Sequence, residues 1–498
     1  MKYIKFLIFA VTGAMFVSCD TDEFLNPLPD SVIVSNTFFQ TDSDVLSGIV
    51  GVYDAIQGVN ENTESNSTRF NRGVQLEYLL TEHRSDNTRS KTLEGSRADF
   101  HRYIVEPDNI QSEDYYQSMY EIIFRSNNIL QYIENADDVN INKYTAEVKF
   151  LRAYAYFNLV RLYGAVPLVT RVVSSEEKEL LFTRVDVVNV YEQIVLDLQA
   201  GVTYLDNTHK SRASKAAAQG ILAKVYLTQP TPNYAGAKAL CEDIVNNSGF
   251  ALQANYKDVF YNELNSEIIF AIQYLSGNPE ESQGFSSEFT SYSRQGRQDG
   301  LNIVNPNLVT AFNGNGGNRT AVSYAAFGDD AELVNETTGL PAPESAEVIK
   351  FLPDLSDISD TNLPTYGDQP GNAGNDWIIL RYSDVLLMHT EAIMQGNDTS
   401  DPAALDSYMK VRVRAGFDAV ADRPLVLTRN ALLLERRVEL AFENHRFFDL
   451  VRFGVANDVL GAHADIKGYT SYNIRRLLLP IPAREINLSE GLLTQNPQ

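Results

Sequence analysis

Cysteine is almost missing from this chain, with only Cys19 and Cys241 among 498 residues. Two thiols cannot build a disulfide framework or a four-cysteine zinc site. Tryptophan occurs once, at position 377, and the six histidines (83, 101, 209, 389, 445 and 463) show no pair at metal-ligand spacing. His-Glu-x-x-His, Gly-x-x-x-x-Gly-Lys and Gly-x-Ser-x-Gly are all absent, so the usual zinc-peptidase, phosphate-loop and serine-hydrolase signatures have no place here. The Gly- and Asn-rich run Asn313-Gly314-Asn315-Gly316-Gly317-Asn318 lacks the regular Asp positions of a calcium loop. No metal or cofactor is therefore expected. Positive charge is also short, 41 Lys+Arg against 65 Asp+Glu, and the net −24 disfavours a nucleic-acid partner. Beyond residue 16 no apolar run approaches the roughly 20 residues that a membrane-spanning helix needs.

What is present begins with an address. Lys2 and Lys5 precede an apolar run from Phe6 to Phe16 that closes on Ser18-Cys19, the pattern of a secretory signal over residues 1–18. Phe16-Val17-Ser18-Cys19 resembles a bacterial lipobox, although Leu is usual where Phe16 stands. That likeness implies lipidation of Cys19 and a tether to a membrane. The acidic run Asp20-Thr21-Asp22-Glu23 looks like the export signal of surface lipoproteins. Residues 19–42, with Asn26-Pro27-Leu28-Pro29, read as an extended lipidated lead-in. Cys241, in Leu240-Cys241-Glu242-Asp243-Ile244, reads as a buried apolar residue in a helix.

Helical periodicity dominates the rest. Val45, Ile49, Val52, Tyr53 and Ile56 form one apolar face, and the pattern predicts helices over 116–133, 146–163, 187–204, 215–227 and 234–246. A polar stretch from about 276 to 376 is rich in turn-forming residues, and helices are expected again over 379–395, 403–413 and 427–452. Ala155, Leu159 and Tyr163 recur as Ala218, Leu222 and Tyr226. Small Ala on such a face lets a neighbouring helix approach, which suggests irregular helix pairs of the tetratricopeptide type.

Several segments together carry a family resemblance. They are Leu151-Arg152-Ala153-Tyr154 through Tyr163-Gly164 with Val166-Pro167-Leu168; Trp377 through Met388; Val411-Arg412-Val413-Arg414-Ala415-Gly416; Glu435 through Glu443 with Arg446, Asp449, Arg452 and Gly454; and Leu479-Pro480-Ile481-Pro482 with Gln495-Asn496-Pro497. The chain resembles the SusD/RagB family of outer-membrane nutrient-binding lipoproteins. The resemblance implies a mainly α fold, an irregular tetratricopeptide-like scaffold with a loop-rich insertion subdomain. It divides the mature chain into an N-terminal part (43–275), a ligand-binding insertion (276–376) and a C-terminal helical part (377–498). It further implies a non-catalytic, lipid-anchored protein at the surface of the outer membrane, which hands oligosaccharides to a SusC-like TonB-dependent transporter. A peptide-binding member of the same fold is the alternative, and a surface polysaccharide hydrolase a more distant one.

Glu435, Glu439 and Glu443 fall at four-residue steps beside Arg436, Arg446 and Arg452. Regular carboxylates among arginines stay ionised, which suits a structural ion-pair network and not the raised-pKa acid of a glycosidase. Trp377 reads as a packing residue. Within this acidic chain two stretches concentrate positive charge with aromatics. The first is His83 to Lys91 with Arg97, Phe100, His101 and Tyr103; its candidate ligand contacts are Arg84, Asn87, Arg89 and Tyr103. The second runs from Phe285 to Gln298, with candidates Phe289, Tyr292, Arg294 and Arg297. Arginine forks and aromatic faces suit an oligosaccharide, including one that bears carboxylate or sulfate.

Overall fold

The computed structural model describes residues 35–60, 71–276, 278, 280–286, 289, 301–325, 346–351 and 373–497. The expected signal segment and Cys19 lie outside them, as do Tyr292, Arg294 and Arg297. The long helices are α1 (Asp42–Gln57), α2 (Ile110–Gln131), α3 (Asp138–Tyr163), α4 (Val187–Tyr204), α5 (Lys215–Thr228), α6 (Tyr234–Asn247), α7 (Tyr382–Met394), α8 (Pro402–Arg414), α9 (Arg429–Glu439), α10 (Arg446–Arg452) and α11 (Ala456–Lys467). The fold is mainly helical, and from α1 to α8 each helix packs on the next in sequence. The array continues from α6 to α7, on either side of the 276–376 stretch.

Local chemistry explains the order of the array. Helix α1 starts on a capping box, in which Thr41 Oγ1 accepts the Asp44 amide and the Asp44 carboxylate takes the Thr41 amide. Helix α3 is buried around nearly its whole circumference from Tyr144 to Tyr163, as a central helix must be. Its Arg152 forks onto Asp197 of α4 at 2.8 and 2.9 Å and also reaches Asn127 of α2 at 2.8 Å, fastening three helices. Where α4 crosses α5, a Cβ on Gly201 would lie 2.7 Å from that of Ala218, so the small residues permit the close approach. Ala155, Leu159 and Tyr163 are all fully buried, and Ala218 and Leu222 match them while Tyr226 stays half-exposed.

Of the eight short strands among the described residues, six frame the region of interest: β1 (Thr88–Arg89), β2 (Ile268–Ile272), β3 (Ile303–Val304), β4 (Tyr324–Ala325), β5 (Glu347–Val348) and β6 (Trp377–Arg381). Antiparallel pairing orders four of them β1-β3-β5-β4, with Thr88 opposite Val304 and Arg89 opposite Ile303. The other two pair antiparallel, Ile272 opposite Trp377 and Ile268 opposite Arg381.

Two expectations are corrected here. The helix expected from residue 379 begins at Tyr382, because Trp377–Arg381 is a strand. A short apolar run fits either state, and pairing to β2 decides it. The single helix expected over 427–452 is broken after Glu439. Phe442 and Asn444 take positive φ values of 69° and 65°, and Asn444 is held by Glu82 and Thr81. His445 therefore precedes α10 and does not lie within a helix. Cys241 is fully buried, and Trp377, 2% exposed, packs between Phe285 and Phe351 with ring centroids at 4.9 and 5.0 Å.

Candidate functional site

The two carboxylates on α9 and the one just beyond it are enclosed among cations. Arg319 donates to Glu435 at 2.6 Å and to Glu439 at 2.8 Å, and Arg412 reaches Glu435 at 2.9 Å. Arg381 spans Glu267, Glu439 and Glu443, and Lys350 lies 2.5 Å from Glu443. The carboxylates expected to be structural are so, but their partners are not Arg436, Arg446 and Arg452. Those pair with Asp384 and Asp449, with Asp86, and with Glu391 and Asp449, respectively. Burial alone would raise the Glu439 carboxyl. Arg414, Arg381 and Arg319 together outweigh it and hold the group well below the usual range. No proton is available there for acid catalysis.

Of the first basic stretch, most belongs to the interior. Arg84 is buried. Its guanidinium donates to the carbonyls of Arg476 and Leu477 at 2.8 and 2.9 Å and sits 4.3 Å from the Phe447 ring centroid. Asn87 is buried between Glu82 and Arg437. Asp86, between Arg437 and Arg446, is pulled down to about 2 by those guanidiniums against the penalty of burial. Tyr103 is buried, and its hydroxyl donates to the Arg84 carbonyl at 3.2 Å. Phe289 is fully buried against Tyr78 and Phe285, with ring centroids at 5.0 and 5.8 Å. Arg84, Asn87, Tyr103 and Phe289, four of the expected ligand contacts, are thus all buried. Each spends its polar or aromatic surface on its own chain.

Arg89 differs. Strand β1 carries it to a half-exposed position, where it donates to the Ser90 carbonyl at 2.8 Å. The short helix Ala98–His101 returns the chain to the same place. His101 is buried, and neither of its ring nitrogens has a hydrogen-bond partner among the described residues. Helix α11 arrives from the far end of the sequence and closes on Gly468, whose φ of 71° is the left-handed cap that glycine adopts freely. That turn lays Tyr469 over His101 at 5.7 Å between ring centroids, and Tyr472 against Tyr103 at 4.9 Å. Tyr469 also meets His463 at 6.3 Å. Arg89, Arg102, His463 and Lys467 all bear electrostatically on His101. With burial as the larger cause, they push its imidazole down to about 3. His463 falls to about 4, again chiefly by burial. At neutral pH both rings are neutral, and the standing charge of the site comes from Arg89, Arg102 and Lys467.

Chemically this is a half-exposed floor of tyrosine rings rimmed by fixed cations. Thr88 Oγ1 and both side-chain polar atoms of Asn302, on the adjoining strand ends, are buried without partners among the described residues. Such a surface offers stacking faces and many donors, and no nucleophile–base pair. No group of three or more His, Cys, Asp or Glu that could hold a metal occurs among the described residues. From the sequence Arg89 was a candidate, while Arg102, Lys467, Tyr469 and Tyr472 were missed. The only cue to the last two was a pair of tyrosines flanking the polar turn after a helix-ending Gly468.

Comparison with known proteins places this architecture. A model described as "SusD family" matches residues 355–498, and one described as "Starch-binding associating with outer membrane" matches residues 23–227. The SusD-like protein P25 of Formosa agariphila is 28% identical, over 99% of this chain and 98% of its own. A solved laminarin-binding SusD-like protein superposes with a TM-score of 0.74 at 25% identity, covering 92% of this chain and 99% of that one. Surface glycan-binding protein A from Bacteroides thetaiotaomicron, solved with laminarihexaose, shares the fold with a TM-score of 0.73 at 21% identity, over 92% and 99% of the two chains. The chain belongs to the SusD/RagB family.

Proposed function

We propose that this SusD/RagB-family chain is a carbohydrate-binding lipoprotein of the outer-membrane surface that captures oligosaccharides without cleaving them and passes them to a TonB-dependent transporter. The observation that carries the reading is the surface at Arg89, Tyr469 and Tyr472. Tyrosine rings suit the apolar faces of sugars, and guanidinium donors suit their hydroxyls. Its likeness to a laminarin-binding relative of the same fold supports the ligand class. Binding without hydrolysis agrees with the fate of the carboxylates. A glycosidase needs a raised-pKa acid facing its substrate. Burial raises Glu82 and Asp376 to about 7, yet they are only 0% and 9% exposed. Capture outside the cell agrees with the lipobox-like sequence Phe16-Val17-Ser18-Cys19.

Affinity gel electrophoresis of the purified chain through a panel of soluble glycans, laminarin included, tests the proposal. Retardation by at least one glycan, with no release of reducing ends, is the expected result. Unretarded migration in every glycan beside capture of peptides would replace the cargo, and turnover would replace the mechanism.

A further inference from the structure

We infer that Asn313–Gly314 is a self-modification site, where the folded chain converts its own asparagine to aspartate and isoaspartate, while the identical pair two residues on is protected by the fold. The inference goes beyond the glycan-binding reading and does not depend on it.

The sequence holds two Asn-Gly pairs, Asn313-Gly314 and Asn315-Gly316, in one run. An asparagine before glycine is the one most open to attack by the next backbone nitrogen, because glycine has no side chain to obstruct the approach. Composition treats the two pairs alike, and the structure does not. The helix Pro306–Phe312 ends at Asn313, whose φ of −61° and ψ of 114° are followed by a φ of 78° at Gly314. The Asn315 amide donates to the Phe312 carbonyl at 3.1 Å, so this is a type II turn with Asn313 and Gly314 at its centre. Both residues are exposed, and a Cβ on Gly314 would meet no atom within 4 Å. Neither the Gly314 amide nor the Asn313 carboxamide makes a hydrogen bond among the described residues. The peptide plane between them is therefore free to turn over. Type II and type I turns differ by that rotation and share the bond from the fourth residue to the first, so the turn need not open. One sense of the rotation carries the Gly314 nitrogen past Asn313 Cγ.

The second pair is held at each point that the same reaction must move. The Gly316 amide donates to the Phe312 carbonyl at 2.7 Å, and the Asn315 carboxamide to the Ala311 carbonyl at 3.1 Å. The Asn315 carbonyl accepts the Arg319 guanidinium at 2.6 Å, and Arg319 is itself buried against Glu435 and Glu439. Gly316 is buried too, and a Cβ there would lie 2.8 Å from the Phe312 ring. Bringing the Gly316 nitrogen to Asn315 Cγ would break all three bonds and pull on the ion network.

The chemistry needs only water and a solvent base. The base takes the Gly314 amide proton, the nitrogen bonds to Asn313 Cγ, and the Cγ–Nδ2 bond breaks with loss of ammonia, closing a succinimide. Water then opens the ring. Addition at Cγ gives aspartate, and addition at the backbone carbonyl gives isoaspartate. Nothing is oxidised or reduced, and the chain gains one negative charge.

The test incubates the purified full chain and Asn313→Gln at pH 8 and 37 °C for several weeks, both natively and in 6 M guanidinium. Peptide mapping by mass spectrometry follows each asparagine, and enzymatic methylation counts isoaspartate. In the native chain, conversion at Asn313 should outpace that at Asn315 by at least tenfold, and a more acidic form should accumulate on isoelectric focusing. Asn313→Gln, whose longer side chain closes the ring more slowly, should lack that form. In guanidinium the two asparagines should convert within about threefold of each other, because only the fold separates them. Equal or faster conversion at Asn315 in the native chain would overturn the inference. So would an inert Asn313 over a period in which the unfolded chain converts, or a tenfold preference that persists in guanidinium.

Discussion

Replacing Arg381 by Met removes the centre of the largest buried ion network among the described residues. The guanidinium donates to Glu267 at 2.8 Å, to Glu439 at 2.5 Å, to Glu443 at 2.7 and 2.8 Å, and to the Glu439 carbonyl at 2.7 Å, from a residue only 1% exposed. Methionine matches the length of the stem but leaves three carboxylates to share Arg414, Arg319 and Lys350. Removing one partner from a buried pair typically costs about 3–5 kcal/mol, because the other charge stays buried. Unfolding entropy of roughly 2.1 cal/mol/K per residue gives about 1 kcal/mol/K for a chain of this length, so the melting temperature should fall by about 3–5 °C. Differential scanning calorimetry at pH 7 measures this, with Arg423→Gln as control. The Arg423–Asp406 pair is 33% and 61% exposed, and its loss should shift the melt by less than about 1 °C. The pH dependence sharpens the test. In the wild type Glu439 and Glu443 are held low, so their stabilisation is present above the ordinary carboxylate pKa and is lost as pH falls through their depressed folded values. Without Arg381 those carboxyls titrate higher, and the gap between variant and wild type should shrink from pH 7 towards pH 4. A melt within 1 °C of wild type at pH 7, or a gap that widens in acid, would refute the reasoning.

Asp376 should behave in the opposite sense. Burial, with Glu263 nearby, raises its carboxyl to about 7, so its contribution is favourable below the ordinary carboxylate pKa and is lost as pH rises through about 7. Asp376→Asn should therefore match wild type at pH 4 and melt about 1–3 °C higher at pH 8, on about 1.4 kcal/mol per pKa unit discounted for local relaxation; an unchanged melt at pH 8 would sink the assignment. Cys241 is fully buried and its thiol is pushed up by burial, so Ellman's reagent should be inert to it in the native chain and react within seconds in 6 M guanidinium. Gly201→Leu places a side chain where α4 meets Ala218 of α5. A loss of roughly 2–3 kcal/mol, or failure to fold, is expected by urea titration, against a small effect for the exposed Gly468→Asn, which keeps the left-handed cap.

Much of the scaffold was legible because its signals are local. The periodicity of α4 gave its bounds, Val187–Tyr204, and the apolar stretch through Tyr163 gave the C-terminal end of α3. What failed was non-local. Trp377–Arg381 is apolar at a helical spacing too, and only its pairing with Ile268–Ile272, distant in sequence, makes it a strand. The break after Glu439 depends on Glu82 and Thr81 reaching Asn444 across the fold. The candidate site shows the same limit most clearly. Buried scaffold and ligand surface draw on one vocabulary of Arg, Asn and Tyr, so His83 to Lys91 looked uniform in composition. The structure divides it by where the opposing charges lie. Arg437 and Arg446 close on Asp86, and Asn87 is bound between Glu82 and Arg437, so that half of the segment is satisfied from within. Two residues later Arg89 is half-exposed and donates to the Ser90 carbonyl, near a ring cluster brought there by the far end of the chain. Composition could not separate the two halves, because what distinguishes them is which distant elements, α9 and α10 for Asp86 and the turn after α11 for the rings beside Arg89, the fold brings against each.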